Sequence, residues 1–166
     1  MPITAHQCNK LFEISKGPRR APLLPGVERL IRHLDHHKIP MAIVTGSTRE
    51  SFTWKSEPYN ELFSLFQHII TIPDESAIQH GKPYPDPFLF CASKFDRPPV
   101  DNRNNILVFE DSLAGIQAAN NADMISIWVP DPKTPSEVDT DGVVPFKRLY
   151  SLEHFLPEKF GIQPFE

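Results

Sequence analysis

The chain has 166 residues, enough for one ordinary domain and too few for two with separate cores. Hydrophobic residues make up 40% and charged residues 23%, which excludes a disordered chain. The formal net charge is -4, and the only basic group, Lys16 with Arg19 and Arg20, is too short to be a nucleic-acid footprint.

The spacing of Val27, Leu30, Ile31 and Leu34 predicts a helix over Val27 to Lys38, started at Pro25-Gly26 and followed by Pro40. Its other face carries His33, His36 and His37, which read as a solvated face rather than a metal site. Met41 to Val44 is apolar on both faces, as a buried parallel strand requires, and stops at Thr45-Gly46-Ser47. A polar helical stretch covers Thr48 to Leu65, and His68 to Ile72 is a second strand. Pro73 to Pro85 is a loop, with Asp86 the expected N-cap and Pro87 the first helical residue of the next helix. Asn105 to Phe109 is a third strand, Ser112 to Asn120 an alanine-rich helix, and Met124 to Val129 a fourth strand. A weaker strand over Gly142 to Phe146 precedes a short helix around Leu152 to Leu156. Helix and strand alternate, which predicts an α/β fold with a doubly wound parallel sheet.

Eighteen prolines, roughly twice the usual ~5%, mark the turns between these runs. Cys8 and Cys91 are too far apart to suggest a disulfide framework, and Cys91 reads as a core residue. Met1 to Arg20 lacks the apolar run of a secretory signal, and no segment approaches a membrane span. A cytoplasmic protein with no membrane or nucleic-acid partner is expected.

Ligands of doubly wound sheets bind beyond the carboxyl ends of the strands, so polar residues there carry the functional reading. Thr45, with Gly46 and Ser47, could donate to a phosphate alongside the backbone N–H groups of the following helix, or could simply form a turn. Lys82, in Gly81-Lys82-Pro83-Tyr84-Pro85-Asp86, is held by a stiff loop to balance phosphoryl charge, or is a solvated lysine on a rigid turn. Glu110 and Asp111 are adjacent carboxylates at a strand end, a pattern that suits Mg²⁺ with water and phosphate oxygens. Asp111 is the expected direct ligand and Glu110 the water-mediated partner; Asp111 could equally cap the next helix.

Thr45, then Gly81-Lys82-Pro83-Tyr84-Pro85-Asp86, then Glu110-Asp111-Ser112-Leu113-Ala114-Gly115 resemble the second, third and fourth motifs of the haloacid dehalogenase superfamily. Ser64-Leu65-Phe66 and the ending Leu156-Pro157-Glu158-Lys159-Phe160-Gly161 look like the pseudouridine-5'-phosphatase group within it. The resemblance implies a Mg²⁺-dependent phosphatase acting on a small phosphorylated metabolite, a nucleotide or sugar phosphate. Thr45 and Lys82 would then be catalytic, Thr45, Gly46, Ser47 and Lys82 would bind phosphate, and Glu110 and Asp111 would hold the metal.

The family's first motif is an Asp-x-Asp pair whose first aspartate attacks phosphorus while the second serves as acid and base. No such pair follows an apolar strand before Thr45: Asp35 lies in a helical stretch, and Asp139-Thr140-Asp141 lies in a polar loop, as does Asp131. The resemblance therefore implies an N-terminally truncated core over residues 22–166 without its first central strand, preceded by a cap remnant over residues 1–21 with Leu11, Phe12 and Ile14. Unpaired strand edges would follow, and with them self-association. Impaired catalysis is expected; an inactive binding or interaction protein and a sugar phosphomutase are the alternatives. The family also commonly has glycine where Asp123 stands before Met124, in a left-handed conformation that Asp adopts at a cost of about 1 kcal/mol.

Overall fold

Short apolar runs become parallel strands in this chain, and helices cover them on both faces. The computed structural model describes residues 22–96 and 103–166. The cap helix expected over residues 1–21, including His6 and Cys8, lies outside them.

Helix α1 (Val27–His36) turns Leu30 and Ile31 inward. Gly26 precedes it at φ 85°, and a Cβ there would strike the backbone of Leu152 and Glu153, so only glycine lets the C-terminal segment close on the helix start. Strand β1 (Ala42–Thr45) follows, then α2 (Arg49–Ser56), a 3-10 turn and α3 (Asn60–Phe63). Strand β2 (His68–Thr71) leads through the Lys82 loop to α4 (Asp86–Ser93). Strand β3 (Leu107–Glu110), α5 (Leu113–Asn121), β4 (Ile125–Trp128) and the two-residue β5 (Lys147–Arg148) complete the order.

All pairings are parallel, and they fall into two sheets rather than one. β1 pairs with β2, while β3, β4 and β5 form the second sheet in that order. Among the described residues no strand joins β1 to β3. The two sheets share a core face. Val108 of β3 packs with Phe88, Ala118, Ala119, Ala122 and Met124, and Val44 of β1 joins the same cluster. Leu107 and Phe109 point the other way, onto Leu30, Ile127, Leu149, Leu152 and Phe155, as the two-residue period of a strand dictates. Cys91 is on the buried face of α4, and burial pushes its thiol pKa up to about 12, so it is an inert core group.

Several local readings change. Asp86 is the first residue of α4, not its cap. Its carboxylate instead accepts from the His80 backbone N–H at 3.2 Å and pairs with His80 Nδ1 at 3.1 Å, which closes the loop around Lys82. The weak strand expected over Gly142 to Phe146 forms at Lys147–Arg148, where the chain aligns with Ile127 and Trp128. The last helix is replaced by two 3-10 turns, Leu152–His154 and Pro157–Phe160, the second beginning at a proline. His33 is not merely solvated: Nε2 bonds the Gln163 carbonyl at 2.8 Å, and its ring lies 4.7 Å from that of Phe165. No cluster of three metal-ligating side chains occurs among the described residues.

Candidate active site

The carboxyl ends of β1 and β3 are brought to one rim by Lys82, and the side chains selected from the sequence sit there. Thr45 is the last residue of β1 and Glu110 the last of β3. Lys82 reaches the rim from the loop before α4, across a cis Lys82–Pro83 peptide bond. Its Nζ donates to the Val44 carbonyl at 3.2 Å and forms an ion pair with Glu110 Oε1. One ammonium thus touches both sheets. Both side chains are largely withdrawn from water, Lys82 at 16% and Glu110 at 8% exposure, so each needs the other to offset its desolvation.

Glu110 is held on its second oxygen as well. Ser112 Oγ donates to Oε2 at 3.0 Å and accepts from the Gly115 backbone N–H at 3.0 Å. Ser112 is therefore the N-cap of α5, and Asp111 is not. A capping residue must have extended dihedrals with its side chain turned back over the helix start, and the chain reaches that point one residue after Asp111. A Cβ on Gly115 would run into the Glu110 carboxylate, so the glycine makes the room in which that carboxylate lies. The sequence contained this signal, a glycine five residues after the glutamate, but its reason is steric and appears only in the fold. Asp111 itself is exposed at the rim and free of the capping duty. The inward carboxylate is Glu110, the outward one Asp111.

The Thr45 loop is more occupied than expected. Thr45 Oγ1 accepts from the Ser47 backbone N–H at 3.1 Å, and a hydroxyl that accepts one bond still has its own hydrogen to donate. Two of the N–H groups at the start of α2 are already engaged. Arg49 N donates to Asp74 Oδ2 at 2.8 Å, and Ser51 N to the Thr48 side chain at 3.3 Å. Lys55 was missed: its Nζ reaches back from α2 to Ser47 Oγ at 3.1 Å and adds a second ammonium beside the loop. Nothing in the spacing from Ser47 to Lys55 announces that contact. Thr45, Ser47, Lys82, Glu110 and Asp111 thus share one rim, and Gly46 lies exposed between the first two.

The profile of the family described as haloacid dehalogenase-like hydrolase matches residues 3–123. A probable pseudouridine-5'-phosphatase of Drosophila melanogaster is 41% identical over 147 residues, 89% of this chain and 62% of its own length. The (DL)-glycerol-3-phosphatase 2 of Arabidopsis thaliana is 41% identical over 145 residues, 87% of this chain and 58% of its own. The chain thus spans roughly three fifths of each relative. Among solved structures, the HAD-hydrolase YfnB of Bacillus subtilis bound to magnesium superposes with a TM-score of 0.62 at 20% identity, covering 79% of this chain and 52% of that one. That likeness is one of fold. No helix among the described residues is long and apolar enough to cross a membrane. A family profile that covers most of the sequence and the 41% identities agree with the motif order and the rim, and the chain belongs to the haloacid dehalogenase-like hydrolases.

Proposed function

We propose that this chain carries the phosphate-facing half of a Mg²⁺-dependent phosphatase site for small phosphate monoesters, a nucleotide or sugar phosphate, and that alone it binds without turning over. The observation that carries the reading is the Lys82 ammonium, held against Glu110 at the rim shared by Thr45 and Asp111. An ammonium fixed there stabilises charge on a phosphoryl oxygen without reorganising during reaction.

The donor set fits Mg²⁺ in a limited way. Asp111 offers an exposed hard oxygen, whereas Glu110 is already matched by Lys82 and Ser112, and no third ligating side chain joins them among the described residues. Mg²⁺ accepts such a set, one or two carboxylates with several waters and phosphate oxygens completing the shell. Bound there, the ion would neutralise charge on the phosphate and orient it. Asp111 would be its direct ligand and Glu110 would act through water. Thr45 would donate its hydroxyl hydrogen to a phosphate oxygen, with Ser47 fixing the hydroxyl, and Lys82 would supply the positive charge.

A nucleophile is the missing function. No aspartate follows an apolar strand ahead of Thr45, and Asp74, beyond the carboxyl end of β2, is engaged by the Arg49 backbone N–H. Hydrolysis through an aspartyl-phosphate therefore needs a carboxylate that this chain does not provide. The separation of β1 from β3 supports a place for it, between the two strand ends that hold Thr45 and Glu110.

Calorimetric titration with inorganic phosphate in the presence and absence of Mg²⁺, beside an assay with 4-nitrophenyl phosphate, tests both halves. The expected result is Mg²⁺-dependent phosphate binding that is lost in Asp111→Asn, with no turnover. Absence of phosphate binding would overturn the site. Turnover that disappears in Asp111→Asn would overturn the inactivity.

A further inference from the structure

The indole of Trp128 touches the rim at a place the motifs do not cover. Trp128 ends β4 directly opposite Glu110, and its Nε1 donates to the main-chain carbonyl of Asp111 at 2.9 Å. That carbonyl belongs to the turn where the chain leaves β3, ahead of the Ser112 cap. The bond fixes the Asp111–Ser112 peptide plane, while the plane before it, between Glu110 and Asp111, is held by the Val129 N–H, which donates to the Glu110 carbonyl at 2.7 Å. With the planes on both sides of the Asp111 Cα fixed, the direction of its side chain, opposite to that of Glu110, is fixed too.

The indole is itself held. It is 3% exposed, and the Arg148 guanidinium lies over its ring at 4.3 Å. Arg148 also lies 5.0 Å from the Tyr150 ring, and it donates to the carbonyls of Ser136 at 2.9 Å and Pro135 at 3.2 Å. A cation in contact with both rings and bonded to a loop leaves the indole little freedom to rotate. Tyr150, Arg148, Trp128 and the Asp111 main chain form a continuous chain of contacts.

We infer that Trp128 is a positioning residue for the divalent cation. Its indole N–H presents the Asp111 carboxylate outward at the rim, and it acts through the main chain, without touching the ion. This rests on the Mg²⁺ reading above. Groups that orient a metal ligand typically change metal affinity by about 10- to 100-fold when removed. Trp128→Phe keeps an aromatic ring against Arg148 and deletes the N–H, at the cost of some buried ring volume.

The chain has two tryptophans, Trp54 in α2 and Trp128, so Trp54→Phe leaves Trp128 as the sole indole reporter. The full chain is titrated with Mg²⁺ by calorimetry, and the Trp54→Phe variant by fluorescence. The expected results are a saturable change in Trp128 emission, absent when Asp111→Asn is added, and Mg²⁺ affinity about tenfold weaker in Trp128→Phe with its cooperative thermal unfolding retained. Equal affinity in Trp128→Phe, or an emission that ignores bound Mg²⁺, overturns the inference while leaving the metal reading intact. If the parent chain takes up no Mg²⁺, the metal reading fails and Trp128 loses this role with it. Should Trp128→Phe not fold, the emission of Trp54→Phe, which retains the native indole, decides.

Discussion

Lys82 and Glu110 join the two sheets of this protein, one supplying the charge that the other requires. The lysine also takes the Val44 carbonyl, so a single ammonium spans β1 and β3 where, among the described residues, no strand does. Removing it by Lys82→Met strands a carboxylate that is 8% exposed. Breaking one side of a buried pair costs about 3–5 kcal/mol, far more than the pair is worth in net terms. Lys82→Met should therefore lower unfolding stability by that order in urea titration. Adding Glu110→Gln should recover much of the loss, because the amide carries no charge and can still bond Ser112. A single-variant loss below about 1 kcal/mol would show that water reaches the carboxylate after all.

Gly115 sets two effects against each other. Alanine is favoured over glycine inside a helix by about 1 kcal/mol. At this position, however, the new Cβ meets a carboxylate that Lys82 and Ser112 hold in place, and forced repacking costs about 1–3 kcal/mol. Gly115→Ala should thus be net destabilising by about 1 kcal/mol. The same substitution made in Glu110→Ala should be neutral or stabilising. Additive effects of the two changes would contradict the steric account.

The cap of α5 separates Ser112 from Asp111. Ser112→Ala removes the acceptor for the Gly115 N–H and a donor to Glu110, and should cost about 1 kcal/mol of stability. Asp111→Asn, exposed and outside the cap, should stay within about 0.5 kcal/mol. Thermal unfolding of both without added metal makes the comparison. The reverse order would return the capping role to Asp111.

How much of this was legible depends on which link of the chain is asked. The four main strands could be read because a parallel strand buried on both faces must be an apolar run; His68–Thr71 and Ile125–Trp128 lie within the expected stretches, and Ala42–Thr45 and Leu107–Glu110 run one residue past theirs. Strand ends point to the ligand rim in such sheets, so Thr45, Lys82 and Glu110 with Asp111 could be selected before their positions were known. Strand β5 could not be placed, since Lys147 and Arg148 carry no apolar signal and owe their pairing to alignment with Ile127 and Trp128. Contacts far apart in sequence were equally hidden: His33 with Gln163, and the Trp128 indole with Asp111. The division of labour between Glu110 and Asp111 depends on how the main chain is held where it leaves β3, by Val129 and Trp128, which no periodicity encodes.

Asp123 illustrates a local reading that coordinates turn into a number. Its φ is 59°, the left-handed conformation that follows α5 and that glycine adopts without a Cβ penalty. Its carboxylate is 3.8 Å from Arg103 Nη1 in an exposed pair, worth little in water. Asp123→Gly should therefore stabilise the fold by up to about 1 kcal/mol, with the loss of the pair offsetting only part of the gain. A lower melting temperature in the variant would mean that the Arg103 contact matters more than the backbone.

The open edges of β1 and β3 carry the last expectation. Among the described residues each strand is paired on one side only, and the Lys82 ammonium reaches just the Val44 carbonyl of the row along β1. Unpaired strand edges recruit other strands, and the usual defences, such as a bulge, a proline or a charge within the edge, are absent from Ala42–Thr45 and appear in Leu107–Glu110 only at its final residue. A net charge of -4 is a weak deterrent once salt confines electrostatics to about 8 Å. Concentration-dependent self-association is expected, detectable as a rising mass in light scattering. The pairing should be visible in hydrogen exchange: amides of β1 and β3 gain protection as concentration rises, while those at β5 do not. A chain that stays monomeric with β1 and β3 already protected would mean that the gap is closed from within.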